Sequence, residues 1–168
     1  DMQQQMELWE NLYQNKTGWQ KKRVKPMRLP AAIVRELKRL TMTEFSASVQ
    51  DTELDGILQK TIPVLRRSLD FGLAMGGMLL KPYFSGGVLV DMVPQNAYLP
   101  VNYTDAACDA VICPEELAVG KTYYTRLEYH VYDRAKQTHT ISQRCFRSGM
   151  PGTLGTECSL SEVPAWAD

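Results

Sequence analysis

Apolar positions repeat with a helical period through the first 76 residues and with a strand period beyond them. Met2, Met6, Trp9, Leu12 and Tyr13 fall three and four residues apart, which predicts an amphipathic helix over residues 1–15. Residues 16–27 lose that period and carry Gly18 and Pro26, so they read as a loop. Pro30 suits a first helical turn, and Ile33, Val34, Leu37, Leu40, Met42, Phe45 and Val49 continue a second helix to about residue 50. A third helix opens at Thr52, whose hydroxyl with Asp55 three residues on resembles a capping box. It carries Leu54, Ile57, Leu58, Ile62, Leu65, Leu69 and Leu73 before Gly76-Gly77 closes it. Pro63 lies inside this pattern and lacks an N–H, so a kink is expected near residues 59–62.

After Gly77 the period becomes two. In residues 122–133, Tyr123, Thr125, Leu127, Tyr129 and Val131 alternate with Tyr124, Arg126, Glu128, His130 and Tyr132. Residues 133–137 form a turn, and residues 138–147 return as the partner strand. Shorter strands are expected at residues 78–84, 88–93, 98–103 and 107–112. Beyond Ser148, Gly149, Pro151, Gly152 and Gly155 indicate irregular chain. The fold class expected is α+β: amino-terminal helices over residues 1–76, then an antiparallel β region of hairpins over residues 77–168. At 168 residues one folded unit is the default. The start at Asp1 and the stop at Pro164-Ala165-Trp166-Ala167-Asp168 are those expected of a single fragment of a longer protein.

Composition narrows the function. Nineteen Lys and Arg balance nineteen Asp and Glu, so no global charge calls for a nucleic-acid or membrane partner. The apolar runs fall far short of the roughly 20 residues of a membrane span. Cys108, Cys113, Cys145 and Cys158 form no Cys-x-x-Cys pair and fit free thiols in a reducing compartment better than a disulfide framework or a zinc site. The strongest local asymmetry is residues 16–39, with nine Lys or Arg against Glu36 alone. Lys21, Lys22, Arg23 and Lys25, with Trp19 among them and Trp9 on the first helix, are the candidate contacts to DNA, a neighbouring subunit or another partner. The alternative is a solvated loop and helix face.

Catalytic chemistry is thin. His130 and His139 are the available near-neutral bases, no Ser or Cys sits in a Gly-x-Ser-x-Gly context, and Glu115 and Glu116 beside Pro114 read as solvated loop charge. His130 and His139 flank the hairpin turn, and whether they share a face depends on a register that the sequence leaves open. Gly72, Gly76 and Gly77 close a helix, whereas a phosphate loop opens one. No catalytic, cofactor-binding or metal residue is therefore assigned.

The helix ending Leu69-Asp70-Phe71-Gly72-Leu73-Ala74-Met75-Gly76-Gly77, the strand Met78-Leu79-Leu80-Lys81-Pro82-Tyr83, the turn Pro94-Gln95-Asn96-Ala97-Tyr98-Leu99-Pro100 and the strand from Tyr123 to His130 resemble the portal (minor capsid) proteins of tailed phages and prophages of Gram-positive bacteria. The resemblance covers about residues 29–148. It implies the outward-facing, amino-terminal wing of a homo-oligomeric ring, commonly dodecameric, at a capsid vertex, the conduit for DNA packaging and ejection. The implied partners are the neighbouring subunits, capsid, packaging motor and head-completion proteins, and double-stranded DNA bound non-specifically within the ring. The implied locations are the virion and, during assembly, the bacterial host cytoplasm. It implies no enzyme, no cofactor and no membrane. Two other readings are a metal-dependent nuclease of a mobile element using His130, His139 and Glu128, and a prophage protein-interaction module.

Overall fold

The computed structural model describes residues 2–16, 18, 26–104 and 107–166. Three helices, α1 (Met2–Tyr13), α2 (Leu29–Met42) and α3 (Thr52–Met75), precede seven strands. The strands are β1 (Met78–Phe84), β2 (Val88–Pro94), β3 (Leu99–Thr104), β4 (Ala107–Val119), β5 (Thr122–Asp133), β6 (Thr138–Ser148) and β7 (Thr156–Cys158). β1 and β2 pair as a two-stranded sheet, and β3-β4-β5-β6-β7 form a five-stranded one, antiparallel throughout. The chain is thus α+β, with the helices gathered before Gly76. Contacts divide it into two compact units, Asp1–Asn96 and Ala97–Asp168. The unit boundary falls after β2, past the change of period at Gly77, because β1 and β2 pack on α3. Among the described residues no helix is long and apolar enough to cross a membrane.

In the first unit α3 is the spine against which α1, α2 and β2 rest. Gly76 closes it with φ 85, a left-handed conformation that a side chain resists. Its start corrects the expected cap. Asp51, one residue before Thr52, accepts from the amides of Glu53 and Leu54 at 3.0 and 2.9 Å. Asp55 instead accepts from the Val49 amide at 3.0 Å. The helix continues unbroken through Pro63.

α2 ends at Met42, short of the residue 50 that the apolar spacing predicts. The chain after it is held by α3: besides Val49, the Ala47 carbonyl accepts from the Gln59 amide nitrogen at 2.9 Å. These side-chain bonds satisfy a non-helical backbone, and Phe45 and Val49 stay exposed, so their periodic spacing carries no burial.

In the second unit β5 and β6 pair in the expected hairpin, from Tyr123↔Ser148 to Asp133↔Thr138. Asp133 shapes the turn by accepting from the amides of Ala135 and Lys136. β4 runs to Val119, through Pro114, Glu115 and Glu116, where a loop is expected from the sequence. β3 reaches only Ile112 of β4, so from Cys113 onward β4 has β5 as its sole ladder partner and tolerates a residue without an N–H. The chain after Ser148 also contributes β7 and two 3-10 turns, Leu160–Glu162 and Pro164–Trp166. These bring Val163 and Trp166 down onto Cys145, with Leu117, Tyr124, Cys158 and Leu160 packed around them as the core of the unit.

Candidate functional site

The chemistry-bearing side chains of the second unit converge on one row of β5. Alternation puts Tyr124, Arg126, Glu128 and His130 on one face, and the register sets Glu115 of β4 opposite Arg126. One nitrogen of the Arg126 guanidinium bonds Glu115 and lies 3.3 Å from Glu128, and the group stacks over the Trp166 ring at 5.2 Å. Trp166 donates its indole N–H to the second oxygen of Glu115 at 3.4 Å. Glu128 is buried; Gln143 donates at 3.3 Å to the oxygen that faces Arg126, and the other oxygen lies 3.5 Å from Nε2 of His130. His130 Nδ1 in turn meets His139 Nε2 at 3.2 Å with the rings stacked.

The result is a polar string from the indole of Trp166 to the exposed ring of His139. A buried carboxylate needs compensating charge and hydrogen bonds, which Arg126 and Gln143 supply. The histidine contact takes one proton: one ring nitrogen donates and the other accepts, and protonating both would set two donors against each other. The string thus runs from the buried Glu128 carboxylate to the exposed ring of His139. Among the described residues no group of three or more His, Cys, Asp or Glu side chains is placed to hold a metal ion.

Glu115 and Glu116 are exposed, as expected, but lie in β4 rather than in a loop. Glu115 binds Arg126 and Trp166, and Glu116 accepts from the Gly152 amide at 2.7 Å, so both carboxylates fasten the chain that follows β6. Their role is invisible until Pro114 is placed in a strand. Arg126, Glu128 and His130 at every second position are the signal that could have found the row, since charge at that spacing marks one face of a strand.

The first unit has a smaller hub at Asp70 of α3. Tyr13 of α1 donates to it at 2.8 Å and Lys38 of α2 at 3.2 Å, and the Tyr13 ring meets Phe71 edge-on. Burial raises the carboxyl's pKa, but the bonds from Tyr13 and Lys38 outweigh it and hold the group below its ordinary 3.8. Burial and the Asp70 bond push the Tyr13 phenol upward. Because the folded pKa of Asp70 lies below the unfolded one, its stabilisation is complete above the ordinary carboxylate range and lost as pH falls through the lowered value. Asp70→Asn should cost about 1–2 kcal/mol in urea unfolding at pH 7, and its gap from wild type should close as pH is lowered through the acidic range. A gap that stays constant with pH would contradict the assignment.

A cleft of about 260 Å³ lies between α3 and the β1–β2 hairpin, lined by Lys60, Arg67, Tyr83 and Asp91 among others. Of the contact residues picked out in the sequence, Trp9 lies on α1, whose residues are all at least partly exposed. Trp19, Lys21, Lys22, Arg23 and Lys25 lie outside the described residues. Comparison with protein-family models, curated proteins and solved structures returned no match.

Proposed function

We propose that this chain is a structural, non-catalytic part of a phage portal ring, its neighbours further copies of the same protein arranged around the DNA conduit at a capsid vertex. The observation that carries the reading is α2, which is apolar on two opposite sides. Ala31, Val34 and Met42 are buried on one. Leu29, Ile33, Leu37 and Leu40 share the other at helical spacing and are 47–63% exposed. A subunit in a closed ring meets its neighbours through surfaces left over once its own core is packed, and an exposed apolar row on a helix whose opposite side is already buried supplies one. The β1–β2 hairpin adds a second apolar feature, with Phe84 at its tip 79% exposed.

The complete gene product should elute as a large assembly and show rings in negative-stain micrographs. Leu37→Glu should leave thermal stability within about 1 °C of wild type while weakening assembly at least about tenfold, since burying one leucine is worth about 1.5–3 kcal/mol. A product that stays monomeric at high concentration and never enters particles would overturn the reading. Association with a different protein without a ring would favour an interaction module. The contact of His130 with His139 beside Glu128 is the one feature that favours the nuclease alternative. Nicking of plasmid DNA that depends on added divalent metal, and that is lost in His139→Ala, would establish it.

A further inference from the structure

Cys145 and Cys158 are directly opposite each other in the β6–β7 ladder, with their sulfurs 3.4 Å apart. We propose that they form an oxidisable dithiol, a redox modification site whose closure to a disulfide staples β7 and the chain beyond it to the sheet. Opposite residues in antiparallel strands have Cα atoms about 4.5 or 5.5 Å apart, and both spacings fall in the disulfide range of about 4.4–6.8 Å. The sulfurs need only side-chain rotation to reach bonding distance.

The two thiols differ in access. Cys145 is 1% exposed, while Cys158 is only partly buried on a three-residue edge strand. Burial and the neighbouring Cys158 sulfur push the Cys145 thiol up to about 11, which makes it the poorer first nucleophile. With hydrogen peroxide as oxidant, the Cys158 thiolate attacks one peroxide oxygen. An S–O bond forms, the O–O bond breaks, and the departing hydroxide takes a proton to become water. The Cys145 thiol then gives up its proton and attacks the Cys158 sulfur; the S–S bond forms, the S–O bond breaks, and a second water leaves. Two thiols lose two electrons and two protons, and one peroxide becomes two waters.

Leu160, Val163, Trp166, Leu117 and Tyr124 surround the pair. Through that apolar cover closure reaches the core: β7 meets β6 at only three positions, and the residues that follow β7 cover Cys145. Oxidation converts this short edge into a covalently held one, whereas the reduced form depends on three ladder positions and on packing.

The test uses the full chain treated with hydrogen peroxide, quenched by alkylation and compared with an untreated sample. The expected product is lower in mass by about 2 Da, maps to a Cys145–Cys158 cross-link, and melts at least about 5 °C higher, with dithiothreitol reversing both changes. Cys108→Ser should behave as wild type, and Cys158→Ser should lose the mass change and the shift. Peroxide that yields only oxygen adducts on Cys158, or a cross-link involving Cys108 or Cys113, overturns the proposal. A Cys145–Cys158 bond that leaves the melting temperature unchanged overturns the stapling role. Because Cys158 sits at an edge, its serine variant should fold, and cross-linking by a bifunctional thiol reagent gives a second readout of the pair in unsubstituted protein.

Discussion

Trp166→Ala should remove about 3–5 kcal/mol from the stability of residues 97–168, the loss expected for emptying a large buried aromatic site. Trp166 is 7% exposed and closes a cluster of buried apolar residues against Cys145 and Val163. Its loss also takes a hydrogen bond from Glu115 and the ring face on which Arg126 stacks. Whole proteins have only about 5–15 kcal/mol of net stability, so this one side chain carries a large share of it. Trp166→Phe separates the contributions: it keeps the packing and the ring face, loses the indole N–H, and should cost about 1–2 kcal/mol. Urea unfolding followed by circular dichroism measures both. An alanine variant within 1 kcal/mol of wild type would mean that the chain after β7 is not part of this core.

Gly155→Ala is expected to be nearly as damaging for a different reason. A methyl group there would lie 2.0 Å from the carbonyl oxygen of Arg147, 2.9 Å from its carbon and 3.0 Å from the Cα of Ser148. All three neighbours are backbone, so no rotamer relieves the overlap and β7 has to move off β6. The cost should be about 3 kcal/mol or more, at or beyond the upper end for overpacking. The specific signature is exposure of Cys145: its thiol, 1% exposed in the native unit, should become open to alkylation under conditions in which the wild-type thiol is protected. Slow labelling in both proteins would show that β7 does not depend on the absence of a side chain at Gly155.

Much of the architecture is legible in the residue pattern because it is encoded locally. The period changes at Gly76-Gly77, and a glycine with φ 85 stands at that point. The bounds of β1 and β5 follow from apolar runs between turn residues. Reading fails where a distant partner decides. Phe45 and Val49 prolong a helical spacing, yet Asp55 and Gln59, further along the chain, hold that stretch out of the helix. Pro114 looks like a loop because its tolerance in β4 depends on where β3 stops.

The polar row of β5 is half legible. Alternation places Arg126, Glu128 and His130 on one face, but the contact with His139 needs the register of β6 and the roles of Glu115 and Trp166 need the tertiary return of the chain. The cysteines show the same limit. Thirteen positions separate Cys145 from Cys158 in sequence, and only the ladder between β6 and β7 reveals that they touch.

The strand order β3-β4-β5-β6-β7 has a consequence for how the protein is made. Every strand pairs with the one synthesised just before it, so each ladder closes a short loop and none waits for a distant partner. Such sequence-local topologies fold quickly, and the sheet can grow strand by strand as it leaves the ribosome. The exception is the cover. Cys145 and Tyr124 are in place long before Val163 and Trp166 exist, so one face of the nascent sheet stays bare until the chain has grown past Trp166, and that interval is when the growing polypeptide is most vulnerable to sticking to itself.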